Sequence, residues 1–224
     1  TGGGGGSIAF NHATTAVTRD ATVRNLILTA GTGNIVIPGS IGIAGTPLGL
    51  VRIDSASNVA GNAAGTNPTG AIYAGSLDQN AGTAVSRFGA ITAGTSVDID
   101  VSTANVFMTG TVSAPGGFSS TGTGAGSTFN NTGTITTNNN DITITHGSAI
   151  TIGAALLANG TGDIVIDSTG STIDIGIGAT VTTSTGAITV DANGTTTVSA
   201  AVQATGAGTI TFGATGTGPL TLSV

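Results

Sequence analysis

A four-residue pattern returns at nearly fixed spacing in the C-terminal half of the chain, and this periodicity constrains the fold more than any other feature. Asp141-Ile142-Thr143-Ile144, Asp163-Ile164-Val165-Ile166, Ala187-Ile188-Thr189-Val190 and Thr209-Ile210-Thr211-Phe212 place their first apolar residues 22, 24 and 22 positions apart. A second strand-like segment follows each: Ala149-Ile150-Thr151-Ile152, Thr172-Ile173-Asp174-Ile175, Thr196-Thr197-Val198-Ser199 and Pro219-Leu220-Thr221-Leu222. A third, weaker element lies around Leu156-Leu157, Val181 and Val202. Apolar residues alternate with Thr or Asp, which gives each strand one buried and one solvated face. One such unit cannot bury its apolar face alone, whereas stacked copies form a continuous core with parallel ladders about 4.8 Å apart. The spacing predicts an all-β fold, a right-handed parallel β-helix (β-solenoid) with about three short strands in each rung of 22 to 24 residues.

The N-terminal half uses the same vocabulary less regularly. Leu26-Ile27-Leu28, Ile35-Val36-Ile37, Leu50-Val51-Arg52-Ile53, Ile72-Tyr73, Val97-Asp98-Ile99-Asp100-Val101 and Val106-Phe107-Met108 read as short strands between turn clusters. Gly61 to Gly70, with Asn67-Pro68, reads as a loop protruding from a rung. Residues 1–224 are therefore expected to form one solenoid segment, less regular over 1–131 and regular over 132–224. Nine or ten rungs at about 4.8 Å make a rod roughly 45 Å long.

Composition fits this reading and narrows the function. There are 39 Gly and more than 40 Thr, and only 3% of residues are aromatic, a strand-and-turn composition. Every acidic residue is Asp, every basic one Arg, and Lys and Glu are absent. A mean hydropathy of +0.39 with regular Ile and Val spacing argues against disorder. The net charge of −6, with Arg19, Arg24, Arg52 and Arg87 the only cations, offers no basic patch for nucleic-acid phosphates. Apolar runs of a few residues, as in Ala154 to Ala158, fall far short of the roughly 20 needed to span a bilayer. The absence of Cys removes disulfides and thiolate metal sites. The start at Thr1-Gly2-Gly3, without Met, suggests a piece of a longer chain, and the apolar strand Leu220 to Val224 suggests an end without a cap.

The sequence resembles the long repeat regions of filamentous-haemagglutinin-like exoproteins and autotransporter adhesins. Leu26-Ile27-Leu28-Thr29-Ala30-Gly31-Thr32-Gly33-Asn34-Ile35, Gly42 to Leu50, Phe129-Asn130-Asn131-Thr132-Gly133-Thr134-Ile135-Thr136-Thr137 and the repeats from 141 to 212 carry the resemblance. It implies a β-helical shaft outside the cell with roles in adhesion, biofilm or matrix structure. The amino-terminal secretion domain typical of that family is not recognisable here.

No catalytic, cofactor-binding or metal-binding residue emerges. Asp98 and Asp100 share a strand face, as a Ca²⁺ site or, with a third carboxylate, a glycosidase site requires, but alternation alone places them in solvent. Asp163, Asp167 and Asp191 are read as turn-flanking residues bonded to their own backbone, and Asp174 as an outward strand residue. The glycine run Gly2 to Gly6 lacks the Lys-Ser/Thr tail of a phosphate loop. His12 and His146 are far apart in sequence, and His146 reads as a strand-end or turn residue. Tyr73 and Phe88 are candidates for a sugar-stacking platform, with packing the simpler role. Thr134-Ile135-Thr136, Thr143-Ile144-Thr145 and Thr209-Ile210-Thr211 suggest Thr ladders of the kind that order water and bind ice. Asp163-Ile164-Val165 interrupts them, and stacked Thr also stabilises strands.

The expectation is a non-catalytic structural protein, an extracellular or bacterial cell-surface filament or adhesin stalk. Its partners are further copies joined end to end, or the continuation of a longer chain, with a surface glycan or host or matrix receptor as a further class. A ligand-binding β-helix for ice or glycan is the alternative, and a polysaccharide-active enzyme the third class.

Overall fold

The computed structural model describes residues 5–10, 12–14, 16–170, 175–213 and 219–222. It is an all-β solenoid of about 9 turns with roughly 23 residues per turn, and every pairing between its strands is parallel. Each regular turn contributes one strand to each of three faces. The first face stacks ten strands, from Ile8–Ala9 through Val106-containing Asn105–Met108 and Ile150–Ile152 to Leu220–Leu222. The second face runs through Ile91–Ala93, Ile135–Asn138 and Leu156–Asn159 to Val202–Ala204. The third runs through Val97–Val101, Ile142–His146 and Ile164–Ser168 to Ile210–Phe212.

The third face shows why the repeat is so regular. Phe118, Ile142, Ile164, Ile188 and Ile210 stand in register one above another, with Ser120, Ile144, Ile166, Val190 and Phe212 in the next column. Ile142, Ile164 and Ile188 are fully buried and Ile210, in the last such strand, is not. Each Ile thus packs on its counterpart one rung away, which makes the apolar core a stack rather than a centre. The corners need residues of another kind. Gly162, Gly186 and Gly208 stack at the corner between the second and third faces, where a Cβ on each would collide with the carbonyl of the turn beneath. Buried Thr137 and Thr183 close the same corner by donating their hydroxyls to the carbonyls of Asn140 and Gly186, at 2.6 and 2.7 Å.

The N-terminal rungs depart from the short-strand pattern. Leu48–Ser55 and Ile72–Gln79 are each eight residues long and bend across the second and third faces without a break. Ile72, Tyr73 and Ala74 pair with the strand Ile91–Ala93, while Leu77, Asp78 and Gln79 pair with Val97–Val101. The expected loop at 61–70 is closed by hydrogen bonds. Asn62 accepts the N–H groups of Thr66 and Asn67, and Arg87 Nε donates to the Gly65 carbonyl at 3.0 Å. The expected strand around Thr172 to Ile175 begins, where described, at Ile175; Thr172, Ile173 and Asp174 lie outside the described residues, as do Gly2 to Gly4 and Val224.

Candidate functional site

Alternation along the third face points its aspartates outward, and most of the acidic charge of the molecule collects there. Asp54, Asp78, Asp98, Asp100, Asp167 and Asp191 occupy outward strand positions, Asp191 being covered by its neighbours, and Asp141 and Asp163 stand at the corner leading onto the face. Asp78 pairs in register with Arg52 on one side and Asp98 on the other, and Asp167 pairs with Asp191. Stacking at rung spacing therefore forces carboxylates together.

Their ionisation follows from that placement. Partial burial raises the Asp78 carboxyl above the usual aspartate range and the neighbouring Asp98 charge adds to it. Asp100 is raised in the same way, by burial and then Asp98, against an opposing hydrogen bond from Thr121. Asp167 is raised by burial and by Asp191. Asp54 behaves oppositely. The Thr29 hydroxyl donates to it at 3.0 Å and Arg52 Nε at 2.7 Å, and these hold its carboxyl below the usual range. Among the described residues no group of three or more His, Asp or Glu converges as a metal-ion ligand set.

A groove of about 280 Å³ runs along the corner of this face, lined by Ser96, Asp98, Ser119, Asn140, Asp141 and Thr143. It exists because Gly116 and Gly117 contribute no side chains at the middle rung. Gly117 has a φ of 114°, a conformation open to glycine. Two carboxylates, an amide and three hydroxyls line the groove, a set suited to hydrogen-bonding a polyhydroxylated ligand.

The reading of Asp163, Asp167 and Asp191 as turn-flanking residues bonded to their own backbone is corrected. Asp163 Oδ1 accepts the N–H of Ala187 at 2.7 Å, one rung away, and Asp141 Oδ1 accepts that of Asp163 at 2.9 Å. Asp167 and Asp191 lie within strands Ile164–Ser168 and Ile188–Ala192. The two aromatic candidates do not form a platform: Phe88 is fully buried, and Tyr73 faces outward on the second face. An unforeseen aromatic contact occurs on the first face, where the Arg87 guanidinium lies 3.8 Å above the Phe107 ring.

His12 is exposed near the N-terminal end, whereas His146 ends its strand inside the core. His146 Nε2 lies 3.0 Å from the Ser120 hydroxyl, and its ring packs against Phe129 at 5.7 Å between centroids. Nδ1 has no hydrogen-bond partner and faces Gly122 and Ser127. Burial lowers the imidazole pKa to about 4. Sequence alternation carries the signal for this position, since the step that buries Ile142 and Ile144 buries His146 next. The two histidines and the outer carboxylates do not meet in one site.

Comparison with known protein families, curated proteins and solved structures finds no match to this chain. Among the described residues no helix is long and apolar enough to cross a membrane.

Proposed function

We propose that this chain is a non-catalytic structural segment of an extracellular filament or adhesin stalk at a bacterial surface, extended by the addition of further rungs. The observation that carries the reading is the stack itself, about 9 turns in which the strands of one turn pair in parallel with those of the next. The backbone N–H and C=O groups and inward aliphatic side chains of one rung form the template for another parallel rung. That rung comes from a second copy or from the same polypeptide. A head-to-tail contact that does not close grows into a fibre. The resemblance to haemagglutinin-like exoproteins supports the surface location and the adhesin role.

The non-catalytic reading draws on the separation of His146, inside the core, from the carboxylates outside it, because acid–base chemistry needs groups converging on one substrate atom. Sedimentation of the purified chain over a concentration series tests association. Growth of mass with concentration is expected, and a dispersed monomer throughout would contradict it.

A second reading, a glycan-binding β-helix, draws on the groove beside Asp98 and Asp141. Saccharide binding that Asp98→Asn weakens would favour it. Ice binding has less support, because Val165 interrupts the outward column between Thr143 and Thr189.

A further inference from the structure

We propose that rods of this chain pack side by side through their second faces, one copy against another, with the acidic third faces turned outward. The inference rests on the self-associating rod proposed above and adds the surface on which rods meet.

The outward column of the second face runs in unbroken register from Tyr73 to Gln203 over seven rungs, with Thr136, Leu157 and Thr182 near its centre. It contains no charged residue, and neither do the corners joining the first face to it at 89–90, 109–111, 132–134, 153–155, 178–180 and 199–201. The third face is the opposite case. Facing its aspartates against a second copy would oppose carboxylates that already crowd one another within one rod. The first face is interrupted. Arg87 lies over Phe107 and ties down the loop at Gly65, and Gly176 leaves a gap in the outward column between Thr151 and Thr197.

Only the second face combines neutrality with an unbroken ladder. Another copy is the partner that fits it, because matching a ladder of uncharged side chains rung by rung requires the same spacing of about 4.8 Å. Two copies each carrying a net charge of −6 also repel least when their acidic faces point apart. Seven rungs of three-residue strand offer about 300 Å² per rod, against roughly 800 Å² per partner in a stable interface. Lateral packing therefore follows axial growth, as contacts add along a filament.

Electron microscopy of filament width tests this with the whole chain and two double variants. Thr136→Asp with Thr182→Asp charges the second face, and Thr151→Asp with Thr197→Asp charges the first. All four sites are outward strand positions like those Asp98 and Asp167 already hold, and a circular-dichroism melt checks each fold. Unsubstituted chain and first-face variant should form paired or bundled filaments, and the second-face variant single-width filaments with at least tenfold fewer pairs. Persistent bundling of the second-face variant, or equal loss in both variants, overturns the inference. Single-width filaments from the unsubstituted chain overturn it while leaving the filament reading intact, and no filaments at all overturns both.

Discussion

The Nε2 atom of His146 lies 3.0 Å from the hydroxyl of Ser120 one rung away, with both side chains fully enclosed by the core. Around this pair the inward column reads Val101, Gly122, His146, Ser168 and Ala192, a polar break in an apolar stack. Nδ1 lies beside Gly122 and makes no hydrogen bond, so a proton there is unsatisfied. The imidazolium is therefore disfavoured by lost hydration and by an unsatisfied N–H.

The consequence is a loss of stability on acidification. The folded pKa of about 4 lies below the ordinary 6.5, so the unfolded chain takes up the proton first as pH falls. Stability contributed by neutral His146 is present above 6.5 and is lost between 6.5 and 4, by about 3 kcal/mol. Asp78, Asp100 and Asp167 act in the opposite sense. Their folded values are raised, so protonation favours the fold as pH falls through those values. Urea unfolding of the chain and of His146→Leu at successive pH values separates the two contributions. The variant should lack the loss between 6.5 and 4; an unchanged slope would contradict the buried neutral imidazole.

Ile164 and Val165 test the register, because adjacent residues on one strand face opposite ways. Ile164→Asp places an unpaired carboxylate in the core and should destabilise by several kcal/mol. Val165→Asp adds a carboxylate to the outer face and should cost about 1 kcal/mol or less. Thermal melts of the two variants give the comparison, and equal losses would contradict the alternation.

These positions also show what the sequence disclosed. The columns through Ile142, Ile164 and Ile188 were legible because one pattern recurs at rung spacing. The second face, expected as the weaker element around Leu156, Val181 and Val202, is a full face of the solenoid; single apolar residues between turns give little alternation to read. Of the bent strands Leu48–Ser55 and Ile72–Gln79 only Leu50-Val51-Arg52-Ile53 and Ile72-Tyr73 read as strand, since Gly49 and Gly75-Ser76 interrupt the apolar alternation. At the acidic face, alternation identified Asp98 and Asp100 as outward. The pairing of Asp78 with Asp98 is a contact between rungs, and no local pattern encodes it.

Asp98→Asn should relieve that crowding. Removing the central charge lowers the raised pKa values of Asp78 and Asp100, and at low salt the fold should gain about 0.5 kcal/mol. Screening shrinks the gain, so it should vanish near 1 M salt. Melting temperatures at two ionic strengths check this, and a gain independent of salt would point away from repulsion.

Gly122 packs against His146 and Ser127 so closely that a Cβ would overlap both side chains. Gly122→Ala should destabilise by about 1 to 3 kcal/mol, the range for overpacking a core. At Gly126 a Cβ meets nothing, so Gly126→Ala should melt within a few degrees of the unsubstituted chain. Equal melting of Gly122→Ala and Gly126→Ala would contradict the packing around His146.

In the proposed filament, rungs of this chain continue stacking along one axis beyond a single segment. X-ray diffraction from an aligned, concentrated preparation checks this. A sharp meridional reflection near 4.8 Å, from strands lying across the fibre axis, is the predicted result. A dispersed preparation with no oriented 4.8 Å reflection would contradict it.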